Sequence, residues 1–485
     1  MKCTNGITFF TLMGALFLVC IASVNAQDGA NLDANNQLLK DCHMGNLDGV
    51  KENKEADINA VLGQSCLTVA TLGSHLEVVK YVVNEKNGDV NVPNSSGQTA
   101  LMIAVGKSLK DIIKVLLGAG ADPNFKDEGG YTALIAASAR GSKGIVKLLV
   151  EAGADVNAVS KQSQSSLTVA SGKGHHRLVQ YLLENGADVN QQDEEGFTAL
   201  MDASYNNFAD VVKVLLENNA DVTVKTKGGY SVHHYASLDG NVEILKLLEE
   251  AAEFDGNSST DEGITPLMDA LVQKKTDVVK HLVEKVQVDI NAGDENGTTP
   301  LAMASMLNHL DYVHYLVDHG ADITKNDNNG KNAFDLSVIS GHMDIIKLFV
   351  ENHGLDVNKV YNEDSSTPLH LACIAGKLPL VQYLVEKGAN VMAEMNEAVV
   401  PLDLAALIGH VDVVKWLVEE AGADLYHKNA EGENIYETLK QIAPAARKAA
   451  QKGGRKTDGI DQVEEYLDTK FFFDASYGTN VFDEF

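Results

Sequence analysis

The chain has 485 residues, of which 45% are hydrophobic and 8 are proline, and its formal net charge at pH 7 is −29. This composition excludes a collagen-like or intrinsically disordered chain, because it supplies ample apolar surface for packed cores and few helix-breaking residues. A strong negative charge repels phosphate backbones and anionic lipids, so nucleic acid is excluded as an expected partner.

The first 26 residues have the pattern of a secretory signal peptide. Lys2 precedes an apolar run from Ile7 to Ala22, and the small residues of Val24-Asn25-Ala26 stand before Gln27. We predict a signal peptide at 1–26 and a mature protein that is secreted or held in the endomembrane lumen. Its net charge is −30, because Lys2 leaves with no acidic residue. The alternative is an uncleaved anchor, and only in that case do we expect contact with a membrane.

The sequence after residue 60 repeats itself with a period of 33 or 34 residues. The period is marked by Thr-Ala-Leu or Thr-Pro-Leu ending at Leu101, Leu134, Leu200, Leu267, Leu301 and Leu369, with Ser-Ser-Leu ending at Leu167. A second marker of the form Ala-Asp-x-Asn or Ala-Asp-x-Thr begins at Ala121, Ala154, Ala187, Ala220 and Ala321. A fixed period of this length predicts a stack of similar two-helix units.

Each residue that recurs at a fixed position of the repeating unit has a physical role in the helix pair. Threonine before a helix accepts a hydrogen bond from a free backbone N–H, and proline suits the first helical position. Apolar residues at helical spacing follow, as in the run from Ile145 to Val150, and predict a second helix with one buried face. One such unit cannot bury both of its apolar faces, so it requires neighbours on each side.

This pattern resembles the ankyrin repeat, whose signature Thr-Pro-Leu-His is complete at Thr367-Pro368-Leu369-His370. The resemblance implies an all-α solenoid of helix-turn-helix units with projecting hairpin-like loops, about twelve repeats in all. We expect an N-terminal linker and capping repeat at 27–60, ten repeats at 61–428, a C-terminal capping repeat with a basic insertion at 429–470, and an aromatic acidic tail at 471–485. The pattern is most irregular at 226–260, where we expect a kink or hinge.

The cysteines that remain after signal cleavage do not form a disulfide framework in sequence. Cys373 lies in a helical core pattern and is expected to be a small buried hydrophobe. Cys42 and Cys66 could approach each other in neighbouring repeats, but we expect no bridge between them.

No catalytic constellation emerges from the sequence. The resemblance implies that the turn histidines and the signature histidines are structural hydrogen-bonding groups; they are His75, His175, His309, His342 and His410, and His234 and His370, respectively. Asp202 and Asp269 each follow Leu-Met, but two repeats separate them, which is too far for shared acid–base chemistry. We therefore expect no enzyme activity, no metal and no cofactor. An enzyme subunit with chemistry in the last 57 residues is the remote alternative.

Binding is the function that the architecture favours, because stacked repeats expose an extended concave groove. The residue after the loop glycine should point into that groove, and there the sequence places Tyr131, Phe197 and Tyr230, with Tyr205 further along a first helix. Aromatic rings supply large contact areas at interfaces, although these rings could instead pack against the next loop. Acidic residues near them would favour a basic partner, or are simply solvated.

The sequence thus predicts a monomeric, non-enzymatic scaffold that binds a protein partner. A basic run (Arg447, Lys448, Lys452, Arg455 and Lys456) is expected to be a mobile surface loop, or alternatively to dock an acidic partner or membrane. Asn94, Asn257 and Asn296 begin glycosylation sequons that the repeat pattern places in exposed loops.

Overall fold

The structure is a computed structural model that describes residues 29–54, 56, 58–59, 64–86, 88–251, 256–360, 365–441, 443–444 and 458–477. The expected signal peptide at 1–26 lies outside the described residues. So do the basic run and the chain after Tyr477.

The described chain consists of short helices that follow one another in pairs, and no β-strand is assigned within it. Eleven pairs lie between Cys66 and Glu419: Cys66–Leu72 with Leu76–Glu85, Ala100–Gly106 with Lys110–Gly118, Ala133–Ala139 with Lys143–Glu151, Ser166–Ser171 with His176–Glu184, Ala199–Tyr205 with Ala209–Glu217, Val232–Asp239 with Val242–Ala251, Pro266–Val272 with Thr276–His281, Pro300–Met306 with Leu310–Asp318, Ala333–Ser340 with Met343–Lys347, Pro368–Ala375 with Leu378–Glu386, and Pro401–Ile408 with Val411–Glu419. Two second helices continue as π-helical turns at Leu282–Val286 and Leu348–Asn352, and a short 3-10 turn spans Asn396–Ala398.

The expected number of ten repeats between residues 61 and 428 is therefore one too low. Two first helices have neither threonine nor serine at the cap position, which makes the pattern harder to count. Asn332 caps one by accepting from the backbone N–H of Asp335, and Asp403 caps the other by accepting from the N–H of Val400. Side chains other than threonine thus bond to backbone N–H groups at these two helix starts.

The predicted cap of the first helices is confirmed where threonine precedes them. Thr299, for example, accepts a hydrogen bond from the backbone N–H of Ala302 at 3.1 Å, and Pro300 occupies the first helical position. The second helices bury the predicted apolar stripe, as Val211, Val212 and Leu215 show. The core therefore lies between stacked helices, with the polar faces of the second helices outside.

A ladder of asparagine side chains joins successive repeats. Asn124 accepts a hydrogen bond from the backbone N–H of Asp155 at 2.7 Å and donates to the carbonyl of Gly153 at 3.0 Å. Asn157 and Asn358 each make the same pair of bonds to the backbone of the repeat that follows their own. These bonds connect the loops without a β-sheet and explain why the Asp-x-Asn marker recurs.

The chain divides into two compact units. The N-terminal unit contains the described residues up to Lys227 together with the second-helix residues from Glu243 to Ala251. The C-terminal unit contains Gly228–Val242 and the described chain from Gly256 onward. The division thus falls within 226–260, where the repeat pattern is most irregular.

The expectation that Cys42 and Cys66 remain unbridged is wrong. A disulfide joins them, with Cα atoms 5.6 Å apart. Both residues are buried, because the helix Gly29–Met44 packs directly on the first helix of the next repeat. Cys373 is buried as predicted, and loss of hydration raises the pKa of its thiol far above the usual range.

The C-terminal end also differs from the expected boundaries. A helix spans Asp458–Tyr477, so the boundary predicted after Lys470 falls inside it. Phe471, assigned above to a separate tail, packs on the rings of Tyr426 and Tyr436, with ring centroids 5.1 and 4.7 Å away. The first residue of the predicted tail is therefore part of the terminal packing.

Candidate functional site

The histidines bond to the backbone, as the sequence predicts. At the turns, Nε2 of His342 bonds to the carbonyl of Met306 at 3.0 Å, and His410 bonds to Ile374 in the same way. At the signature position, Nδ1 of His370 accepts from the N–H of Thr367, and Nε2 donates to the carbonyl of Val399. These ring nitrogens stabilise turns and are not presented to a substrate.

Two of the predicted binding rings follow tight loops in the N-terminal unit. Asp127 accepts hydrogen bonds from two backbone N–H groups of its loop, one of them that of Tyr131, and Asp193 does the same for Phe197. Gly196 has φ +87°, and a Cβ atom there would lie 2.9 Å from the Cα of Thr226, so only glycine fits.

These rings are half-buried. The hydroxyl of Tyr131 donates to Oε1 of Gln164 in the next repeat at 3.1 Å, which ties this ring to the following loop. Packing against the next loop, the alternative raised from the sequence, is thus observed for Tyr131. Its role in binding and that of Phe197 stay predictions.

The other two predicted rings differ in exposure. Tyr205, in the N-terminal unit, is 50% exposed at the end of its first helix. Tyr230, in the C-terminal unit, is half-buried, with its ring centroid 5.5 Å from that of His234 and 5.9 Å from that of Tyr235. Tyr205 is thus the most accessible of the four.

The two aspartates singled out in sequence lie in different compact units. Burial raises the pKa of Asp202 to about 7, helped by the charge of Asp193. Burial alone raises the pKa of Asp269 to about 7; this side chain is 7% exposed, and its Oδ2 atom has no hydrogen-bond partner. Burial raises the pKa of Tyr230, and the charges of Asp269 and Glu262 raise it further.

An exposed row of apolar side chains in the C-terminal unit was missed by the sequence reasoning. Its members each stand seven residues after the residue that caps a first helix, and each is 42 to 48% exposed: Val272, Met306, Ile339 and Ile374. We call these four residues the apolar row. Aligning the repeats on their caps would have shown large apolar residues at a position that the core does not use.

The same position is different in the N-terminal unit. Three successive repeats carry the small residues Gly106, Ala139 and Gly172 there. The residues that follow them are basic and exposed, namely Lys107, Arg140 and Lys173. The fold therefore does not require a large apolar side chain at this position.

The three sequons lie in loops, but their amides are used differently. Oδ1 of Asn94 accepts from two backbone N–H groups of its own turn, and Oδ1 of Asn257 accepts from the N–H of Asp289 in the next repeat. Asn296 is exposed at a loop tip. Of the three, it is the sequon whose side chain has no hydrogen bond in the described structure.

No group of three or more potential metal ligands is found in the described part of the chain. None of the described helices is both long and apolar enough to cross a bilayer. Two open clefts of about 550 and 570 Å³ lie on the second-helix side of the C-terminal unit. Tyr315 borders both, and its hydroxyl donates to Oε1 of Glu284, so this polar group is engaged within the protein.

A family model described as ankyrin repeats in three copies matches the chain at 25–127, 107–193, 134–226, 200–294, 233–327, 287–361 and 336–429. Alpha-latrocrustotoxin-Lt1a of Latrodectus tredecimguttatus is 37% identical over 81 residues, which are 17% of this chain and 6% of the toxin. The chain thus corresponds to a small fraction of the toxin's length. Among solved structures, the ankyrin repeat domain of Bcl-3, described as a unique member of the IkappaB protein family, is similar. It has 29% identity and a TM-score of 0.41, over 45% of this chain and 99% of that domain.

Proposed function

Because this chain belongs to the ankyrin-repeat family, we propose that it is a non-enzymatic scaffold that binds a protein partner. The partner contacts the face made by the first helices and the loop tips beside them. The observation that carries the proposal is the exposure of large apolar side chains at the same position of the repeat within each unit, Tyr205 in the N-terminal unit and, separately, the apolar row in the C-terminal unit. Exposed apolar residues that recur in register mark interaction surfaces.

The chemistry of the remaining side chains supports a binding role. The turn histidines His342 and His410 and the signature histidine His370 are bonded to backbone groups, and the buried thiol of Cys373 is poorly suited to act as a nucleophile. A scaffold needs surface complementarity and not proton transfer, which agrees with these arrangements.

In the N-terminal unit we propose Tyr131, Phe197 and Tyr205 as contact residues, and in the C-terminal unit Tyr230. Tyr205 should contribute most, because half of its surface is available to a partner. The half-buried rings offer the part of their surface that remains exposed.

We also propose that the protein works in the secretory pathway or outside the cell. The leader pattern at 1–26 supports this, and so does the Cys42–Cys66 disulfide, because such bonds persist in oxidising compartments. N-terminal sequencing of the protein purified from a eukaryotic host distinguishes the two forms of the proposal. A start at Gln27 supports cleavage, and an intact Met1 supports the membrane anchor.

The scaffold is tested by capture of partners with the full chain, tagged at its C-terminus and secreted from a eukaryotic host. Wild type is compared with the triple variant Tyr131→Ala/Phe197→Ala/Tyr205→Ala and with a control, Lys147→Ala/Glu151→Ala, on an exposed second-helix surface. The proposal is supported if a partner protein can be crosslinked to wild type and to the control variant but not to the triple variant. Equal retention by a folded triple variant removes these residues from the site. Failure of wild type to hold any protein argues against a scaffold.

A further inference from the structure

We propose that the apolar row of the C-terminal unit binds a basic amphipathic α-helix of the partner protein. The helix places its apolar stripe on Val272, Met306, Ile339 and Ile374, and its lysine and arginine side chains face the acidic loop tips of the same repeats. This inference rests on the proposed scaffold function and names the kind of partner segment.

The row belongs to a continuous apolar strip. In the N-terminal unit, a Cβ atom built on Gly172 lies 3.6 Å from the Cβ of Asp202, which stands four residues after the next helix cap. The seventh residue of one repeat therefore lies against the fourth of the next. In the C-terminal unit the fourth residues that follow members of the row are apolar: Met303, Leu336, Leu371 and Leu404. Since the first helices pack in succession, these side chains fill the intervals between members of the row.

The spacing of the row matches a helix better than an extended peptide. Packed helices lie about 10 Å apart, so the four side chains span about 30 Å. Two turns of an α-helix rise about 10.8 Å, so residues seven apart meet successive repeats, and about 20 residues cover the row. Side chains on one face of a strand recur about every 6.8 Å and fall out of step with the repeats. The period of the surface thus selects a helical ligand.

The loop tips beside the row are acidic, whereas the turn after Val272 carries the exposed Lys274. The described loop tips of these repeats carry Asp261, Glu262, Asp294, Glu295 and Asp327. Two bases also occur there, Lys325 and Lys331, but their amines bond to the carbonyl of Asn291 and to Oγ of Ser366. Opposite charge speeds association and excludes ligands of like charge, so the flanks of the bound helix should be basic.

An unsatisfied carboxylate marks one end of this strip. Asp269 stands at the fourth position of the repeat that contributes Val272 to the row. Oδ2 of Asp269 has no hydrogen-bond partner. Glu262, in the loop of the same repeat, is exposed. A lysine or arginine of the bound helix would face the negative charge of Glu262 at this end of the strip.

The test uses two synthetic 22-residue peptides with the same leucine heptad pattern, one flanked by lysines and one by glutamates. Binding to the full secreted chain is followed by fluorescence anisotropy. We expect the lysine peptide to bind at least about tenfold more tightly than the glutamate peptide, and Met306→Ser/Ile339→Ser to weaken its binding at least about tenfold. The exposed second-helix variant Lys280→Ser, in the same unit, should bind as wild type does.

Several outcomes would overturn the inference. These are equal binding of the two peptides, and unchanged binding by a Met306→Ser/Ile339→Ser chain whose circular dichroism matches wild type. If wild type is a dimer and this variant is a monomer, a second copy of this chain occupies the apolar row in place of a partner helix. The proposed scaffold function is tested separately, by capture of a native partner. If wild type captures a native partner that the double variant also retains, the scaffold stands and the assignment of the row falls.

Discussion

The Oδ1 atom of Asn157 accepts a hydrogen bond from the backbone N–H of Asp188 at 2.8 Å, 31 residues further along the chain. The Nδ2 atom of the same side chain donates to the carbonyl of Gly186 at 2.9 Å. One amide therefore satisfies two backbone groups of the following repeat, and it can do so only when the two repeats stack in register. The ladder couples each repeat that carries such an asparagine to the next repeat through short, directional bonds.

We predict that Asn157→Ala lowers the free energy of unfolding by about 1–2 kcal/mol, because two backbone groups lose their partner. Urea denaturation followed by circular dichroism measures the change. Thr223→Ala is the matched control at the equivalent position, where the hydroxyl and the backbone N–H of the threonine both donate to Asp221 of its own loop. This variant should lose less than Asn157→Ala, and an equal loss would show that the bonds between repeats are not what stabilises the stack.

The Cys42–Cys66 disulfide should stabilise the N-terminal end of the stack. It closes a loop with a sequence separation of 24, and the restriction of the unfolded chain is worth about 3 kcal/mol for a loop of this size. The variant Cys42→Ser/Cys66→Ser should therefore unfold its first repeats at lower urea concentration. Reductant should shift wild type towards the variant and leave the variant unchanged. A reductant effect of equal size on both would assign the stability elsewhere.

Asp269 should make the stability of the C-terminal unit depend on pH. Burial raises its pKa to about 7, whereas in the unfolded chain the carboxyl ionises near pH 4. The native state therefore binds a proton that the unfolded state has lost, and stability falls as pH rises from about 4 through about 7.

Asp269→Asn removes this ionisation. We expect the variant to be more stable than wild type by on the order of 1–3 kcal/mol at pH 8, with the difference shrinking as pH falls towards 4. Thermal unfolding across that range measures it, with the exposed Asp277→Asn as control, for which the change should stay within about 0.5 kcal/mol. A difference that does not vary with pH would contradict the assignment.

Asn296 is the sequon that we propose to carry a glycan with no effect on the fold. Its side chain is exposed and makes no hydrogen bond in the described structure, whereas Asn257 holds the N–H of Asp289. In protein secreted from a eukaryotic host, Asn296→Gln should remove one glycan. The variant should therefore migrate faster than wild type on a gel, and peptide N-glycosidase should abolish this difference. Its unfolding curve should be unchanged. Asn257→Gln should instead lower stability by about 1 kcal/mol. Unaltered mobility of Asn296→Gln would reject the site.

The repeat fold could be predicted almost completely from sequence, because its determinants are local or lie one repeat away. Threonine caps such as Thr299 act within one helical turn, and the apolar stripe from Val211 to Leu215 follows the period of one helix. The structural role of His370 follows from its place in a four-residue motif. The number of repeats was harder to predict, because Asn332 and Asp403 perform the cap with different chemistry.

The amino-acid sequence by itself thus determined the period, the helix starts and the buried stripes, since these depend on residue order. Tertiary structure decided which residues meet and which face solvent. Packing of the first two repeats brings Cys42 to Cys66. Packing within the C-terminal unit buries Asp269 without a partner for Oδ2 and leaves Met306 and Ile339 exposed in register. Such relationships depend on how helices about 33 residues apart in the sequence stack, and on the water that this stacking excludes. No single sequence motif determines either of them.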